Sequence, residues 1–318
     1  MDRDLNIWTY SDVGEAPFDG DLATYDAVLA ELAADPVELI LPERQKLPIV
    51  ISSPHSGDIY PPSFIENAVL DERTLRKSED CHVHQIAGAA ASADVPILSA
   101  RFPRAFVDPN REAYELDPTM FRGRAPSHIK VGSARARGGL GTIARIVADG
   151  QPIYRDRLHY NEAEWRIHTF YRAYHSTLEE LLAATRRQFG YAILIDCHSM
   201  PSSAIARQKA LEGHAADIVL GDRFGRACRR PIIREVEKCF ADAGFDVGRN
   251  APYAGGYITE HYGRPNRGQH AVQIEINRAL YMNERTLEPF PLLDTLGQVL
   301  TMIVDRLGEL SPEELMGL

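Results

Sequence analysis

Runs of apolar residues too continuous to alternate appear at intervals along the chain, separated by stretches whose apolar positions recur with a helical period. "LPIVISSP" (47–54), "VPILSARF" (95–102), "YAILIDCHSMP" (191–201) and "AVQIEI" (271–276) read as strands buried on both faces, and "ADIVLGDRFG" (216–225) is a further apolar run. "AFVDPNRE" (105–112) reads as a further strand ending in a turn. Between them, "DLATYDAVLAELA", "DCHVHQIAGAAASA", a segment near 228–243 and another near 291–308 have helical spacing. Residues 156–189 form the longest amphipathic pattern, and Gly190 is placed to end it. Apolar strands alternating with helices predict an α/β fold: three layers, a mostly parallel mixed sheet flanked by helices on both faces. A single domain over 46–318 is expected, with residues 1–45 an extension packed on it. In such sheets the site lies beyond the carboxyl ends of the strands.

Composition adds exclusions. Among 318 residues the formal net charge is −10, which argues against a nucleic-acid partner but not against a small anion held by local arginines. No apolar run approaches the roughly 20 residues needed to span a bilayer, so no membrane partner is expected. Cys81, Cys197, Cys228 and Cys239 form no CxxC pair and read as reduced thiols. With an acidic N-terminus lacking a long apolar core, a cytoplasmic protein is the expectation. Oligomeric state is not legible. The Gly- and Arg-rich stretch from Arg122 to Gly150 reads as irregular, with few core residues.

The strand ends carry the chemistry. His55 follows one buried strand; Asp196 and His198, two apart on one face, end another; Glu275 sits among apolar neighbours in "AVQIEIN". Two histidines and an inward carboxylate suit a hydrolytic zinc site, which keeps a position open for water. The carboxylate is open at this level: Asp58 has an HxxE-like spacing from His55, while Glu79 and Asp80 start a helix, where acids also serve as caps. Arg104, Asn110 and Arg111 cluster in "RFPRAFVDPNRE", as a carboxylate clamp or as a surface salt-bridge cluster with Asp108 and Glu112. "GLGT" (139–142) lacks the Lys-Ser/Thr of a phosphate loop, which sets aside a nucleotide-binding module.

"SPHSG", "SEDCHV", "PRAFVDPNR", "GLGTIAR", "YHSTL", "LIDCHSMP", "GGYITEHYGRP" and "HAVQIEIN" follow one another, over residues 47–283, in a way that resembles the N-formylglutamate amidohydrolase family. The resemblance implies a zinc-carboxypeptidase-like α/β domain related to metallo-carboxypeptidases and aspartoacylase. It implies one Zn2+ per chain on His55, Asp80 and His198, with Asp58 in reserve, and Glu275 as general base. It also implies Arg104 at the oxyanion and Asn110 with Arg111 on the substrate carboxylate. "GGYITEHYGRP" is expected to form a loop beside the site, bringing Tyr257 or His261 to the substrate, and "GLGTIAR" a lid. The implied partner is a small N-acyl amino acid, most simply N-formyl-L-glutamate. The rivals are a deacylase or carboxypeptidase for another N-acyl amino acid or small peptide, and a non-catalytic binder of an acidic amino-acid derivative, which would need no general base.

Overall fold

A computed structural model of the chain describes residues 22–123, 125–127, 129, 133–147, 150–212 and 215–316. The apolar runs pair as anticipated. Strands β1 (Val37–Ile40), β2 (Ile49–Ser53), β3 (Ile97–Ala100), β6 (Ala192–Met200), β7 (Ile218–Gly221), β8 (Val247–Arg249) and β9 (Gln269–Asn277) form one sheet. Its order is β1-β3-β2-β6-β9-β7-β8. The pairs β3–β2, β2–β6, β6–β9 and β7–β8 are parallel; β1–β3 and β9–β7 are antiparallel. Two short strands, β4 (Phe121–Arg122) and β5 (Leu158–His159), pair apart from it.

Strand periodicity divides the side chains between two cores. Ile49, Ile51, Ile193, Ile195, Ile274 and Ile276 turn to one face and pack with Val83, Ile86, Val236, Ile303 and Val304 from the helices Val83–Ala89, Arg230–Asp242 and Leu292–Gly308. Val50, Leu98, Ala192, Leu194 and Ala271 turn to the other, against Tyr174, Leu178 and Leu182 of the long helix and Ile258 of the helix Tyr257–Tyr262. The long helix runs over 160–189 with a π turn at Ile167–Tyr171, and Gly190 ends it in the left-handed conformation (φ 85°). The four cysteines are buried free thiols. No helix among the described residues is long and apolar enough to cross a membrane.

Three expectations change. Residues 105–112 form turns and no strand: Pro109 has no N–H for a ladder, and the Asn110 N–H is taken by the Asp108 carboxylate at 2.9 Å. "GGYITEHYGRP" contains a helix, Tyr257–Tyr262, between its glycines, because Ile258 and Tyr262 bury one side of that turn. The stretch 122–150 places Ile129, Ile143, Ala144 and Val147 in the core, more than its composition suggested. Of the N-terminal segment, residues 1–21 lie outside the described residues; Leu29 and Leu32 join the core and β1 forms a sheet edge.

The helix Leu292–Gly308 approaches Val83–Ala89 so closely that a Cβ on Gly297 would lie 2.7 Å from Ala89 Cβ, whereas one on Gly88 would meet nothing within 4 Å. Gly297→Val is therefore expected to lower stability by about 1–3 kcal/mol through overpacking. Gly88→Ala should raise it by up to about 1 kcal/mol through helix propensity. Urea unfolding of both variants checks the opposite signs.

Candidate metal centre and substrate cavity

The face that is apolar at the start of β2, β6 and β9 becomes polar toward their carboxyl ends. Register places Ser52 beside Asp196, Asp196 beside Gln273, and His198 beside Glu275, all on that face. His55 follows β2 in a turn where Gly57 lies against the backbone of Arg101 and Phe102; a Cβ there would sit 2.2 Å from Phe102 O. The backbone N–H of Asp80 donates to His55 O at 2.9 Å, which holds the turn and the Asp80 segment together.

His55, Asp80 and His198 converge, buried, with candidate ligand atoms within 4.8 Å of one another. Asp80 Oδ2 lies 3.1 Å from His198 Nδ1 and 3.5 Å from His55 Nδ1. The outer nitrogens are backed by carboxylates: His55 Nε2 lies 2.7 Å from Asp108 Oδ1, and His198 Nε2 lies 3.0 Å from Asp196 Oδ2. Asp196 itself accepts from Ser52 Oγ at 2.7 Å. A carboxylate behind each ring orients it with Nδ1 toward Asp80, the outer-shell pattern of metal-bound histidine, and Asn110 Nδ2 lies 3.2 Å from His198 Nε2. The residues fit a cation, because buried His55 Nδ1 has no hydrogen-bond partner in the protein. Burial works against a charged ring, yet Asp196, Asp80 and Glu275 raise the His198 pKa well above its ordinary value, so the site calls for positive charge.

The rival carboxylates are elsewhere. Asp58 is exposed. Glu79 is buried but held by Arg76 (Nε 3.0 Å, Nη2 3.1 Å) and by the Tyr60 hydroxyl at 3.3 Å. Asp80 caps nothing with its side chain; its second oxygen accepts from Arg278 Nη2 at 2.8 Å. Burial would push Asp80 up, but the hydrogen bond with His198, the His55 ring 3.5 Å away and the Arg278 charge hold it well below the usual carboxylate range.

A cavity of about 460 Å³ opens over this group, lined by His55, Asp80 and His198 together with Arg104, Asn110, Arg111 and Glu275. Arg135, Arg223, Gln273 and Arg278 also reach it. Glu275 accepts from Gln273 Nε2 at 2.7 Å, and burial pushes its pKa up to about 7 despite the neighbouring His198. Arg104 Nη2 donates to Asp108 Oδ2 at 2.8 Å. Asp108 is 4% exposed, so the cluster with Arg104 is a buried network rather than a surface one. Tyr257 and His261 are not brought in. They stack on each other, centroids 5.0 Å apart, and His261 lines a different hollow with Glu179 and Arg186. In "GLGTIAR", Gly141 packs against Glu115 O and Thr142 is buried; Leu140 lies on the cavity wall.

Sequence reasoning missed Gln273, Arg278 and the part played by Asp108. Gln273 has a signal, since it shares the inward face with Glu275 two residues away. The irregular 105–112 segment is fastened from outside by the long helix, where His175 Nε2 lies 2.8 Å from Pro109 O and the Tyr171 hydroxyl donates to Arg111 O at 2.9 Å. Asn110 is pinned on its far side, accepting from Ile258 N at 2.8 Å, with Gly256 so near that a Cβ would be 2.3 Å from Nδ2.

The family model of N-formylglutamate amidohydrolase matches residues 47–282. An N-formylglutamate deformylase of Pseudomonas aeruginosa is 30% identical over 281 residues, 86% of this chain and 95% of that relative. One from Pseudomonas putida is 28% identical over 265 residues, 82% of this chain and 91% of that relative. The crystal structure of N-formylglutamate amidohydrolase from Ralstonia eutropha JMP134 is 37% identical and covers 86% of this chain and 97% of its own, with a TM-score of 0.81.

If Asp108 orients His55, Asp108→Asn should weaken binding of a divalent metal by about 10–100-fold while leaving the protein folded. Competition against a chromophoric chelator measures this, and unchanged affinity would remove the assignment.

Proposed function

The chain belongs to the N-formylglutamate amidohydrolase family, and from that premise we propose that its cavity hydrolyses N-formyl-L-glutamate to formate and L-glutamate. The observation that carries the reading is the convergence of a His-Asp-His group with a buried glutamate under an arginine-lined roof, in a chain whose net charge is −10.

His55, Asp80 and His198 would hold one Zn2+, which would supply Lewis acidity to lower the pKa of water and polarise the substrate carbonyl. Glu275 removes a proton from the attacking water as its oxygen joins the formyl carbon. The same carboxyl then delivers that proton to the leaving nitrogen as the C–N bond breaks, general acid–base work worth about 10²–10⁴-fold. Its single neutral hydrogen bond, from Gln273 Nε2, aims the carboxylate without removing its basicity. Arg104 is held by Asp108 and lines the cavity; it donates to the oxygen that gains charge, a contribution of about 3 kcal/mol for a preorganised donor. Arg111 and Asn110 take the α-carboxylate. Arg111 keeps its guanidinium in place by donating from Nε to Leu140 O and from Nη1 to Asn110 O, both 3.0 Å, which leaves an amino group for the ligand. With the α-carboxylate fixed there, the amide is oriented over the reacting groups.

Metal-stripped protein is expected to release no formate from N-formyl-L-glutamate, to regain turnover on addition of one equivalent of Zn2+, and to lose about 10²–10⁴-fold in kcat in Glu275→Gln. Bound zinc without formate release would overturn the substrate and direct the search to other N-acyl amino acids. Turnover surviving Glu275→Gln would overturn the base.

A further inference from the structure

Resting on the hydrolase reading above, we propose that Arg223 is the specificity residue that binds the side-chain carboxylate of the substrate, while Asn110 and Arg111 bind the α-carboxylate. Two other guanidinium groups in the cavity are committed to buried aspartates. Arg278 donates to Asp80, to Ser199 Oγ and to Lys77 O; Arg104 is held by Asp108. Arg223 differs in its counter-ion. Its Nη2 lies 2.6 Å from Oε2 of Glu260, a side chain 62% exposed. A pair so open to water is weakly held, and an arriving carboxylate competes with it on nearly equal terms.

The backbone aims Arg223 deliberately. Arg223 and Phe224 are consecutive non-glycine residues in the left-handed region, φ 56° and 57°. Such a pair persists only where surroundings over-determine it. Here Arg223 N donates to Ala254 O at 2.8 Å, and Asn250 Oδ1 accepts from Asp222 N (3.1 Å) and Phe224 N (3.2 Å). Asn250 Nδ2 closes the ring on Asp222 Oδ1 at 2.8 Å.

The two-glycine turn Gly255–Gly256 then sets the spacing. A Cβ on Gly255 would lie 3.1 Å from Arg223 Cδ, and one on Gly256 would collide with the Asn110 amide. Arg223 and Asn110 thus both pack against this two-glycine stretch, which lines the cavity. A ligand with two carboxylates joined by a short carbon chain spans that stretch, one end on Asn110 and Arg111, the other on Arg223.

The test compares kcat/KM for N-formyl-L-glutamate and N-formyl-L-glutamine, which differ only at the side-chain terminus, a carboxylate against a near-isosteric carboxamide. Arg223→Met is expected to lose about 10–100-fold on the glutamate substrate, mainly through KM, and less than about 3-fold on the glutamine one. Arg223→Lys should recover part of the discrimination. Glu260→Gln, by releasing Arg223, should lower KM for the glutamate substrate alone, and should do nothing in the Arg223→Met background. An unchanged glutamate-to-glutamine ratio in Arg223→Met, or its collapse in Arg135→Met instead, overturns the assignment. Should Arg223→Met fail to fold, Arg223→Lys and Glu260→Gln decide through the same ratio. Wild-type protein that turns over neither substrate overturns the hydrolase reading and this inference with it.

Discussion

Four carboxylates, Asp80, Asp108, Asp196 and Glu275, reach one end of the sheet with less than a tenth of their surface exposed. Taking that much negative charge out of water is costly, and it is tolerated only where each charge is met by hydrogen bonds or an opposite charge. The rest of the site follows from how each is met. Asp196 is answered by Ser52 and His198; Asp108 by His55, Arg104 and the Asn110 N–H; Asp80 by His198 and Arg278. Glu275 has one neutral donor, Gln273, and burial pushes it up to about 7. That makes Glu275 suited to the proton-transfer role proposed for it, because incomplete compensation is what leaves a group able to exchange a proton near neutrality.

Irregular backbone carries half of this arrangement, and it is the surroundings that make it precise. Residues 105–112 have no ladder of their own, and three of their carbonyls are satisfied by side chains from elsewhere: Arg166 at Phe106 O, His175 at Pro109 O, Tyr171 at Arg111 O. Tyr171 and His175 are four apart and fall on one side of the long helix just where its π turn ends. An inserted residue of that kind rotates the following turn relative to the preceding one. Here the rotated turn reaches both carbonyls that flank Asn110. A site on loops has thereby acquired the positional support of a helix.

The strand ends were legible because a buried strand has a strict period of two, and a polar residue interrupting it must turn inward. That reasoning finds His55, Asp196, His198 and Glu275. It does not reach Arg278, whose partner Asp80 lies 198 residues away, nor could it separate Asp80 from Glu79, since only the fold shows Arg76 taking the latter. The edge strand β1 was missed because three of its four residues are exposed, which erases the buried-strand signal; β8, three residues long, has no room for a pattern. Tyr257 and His261 were drawn toward the site by their place in a glycine-flanked segment. Folded as a helix, they stand four apart and stack on each other, and neither lines the cavity.

An acidic protein with an arginine-lined cavity concentrates its field where a small anion must go, since low-dielectric walls focus the potential of the groups inside them. That advantage carries a difficulty. Hydrolysis of an N-acyl dicarboxylate turns one anion into two, and a cavity that held both tightly would be slow to empty. The structure mitigates this at its rim. Arg223 keeps an exposed carboxylate, Glu260, within reach at 2.6 Å, so a departing carboxylate leaves behind a paired rather than a bare guanidinium. Deeper in, Arg278 and Arg104 are held by buried aspartates and do not depend on the ligand for compensation. Permanent pairs inside and an exchangeable pair at the rim let one cavity both attract a dianion and release its fragments.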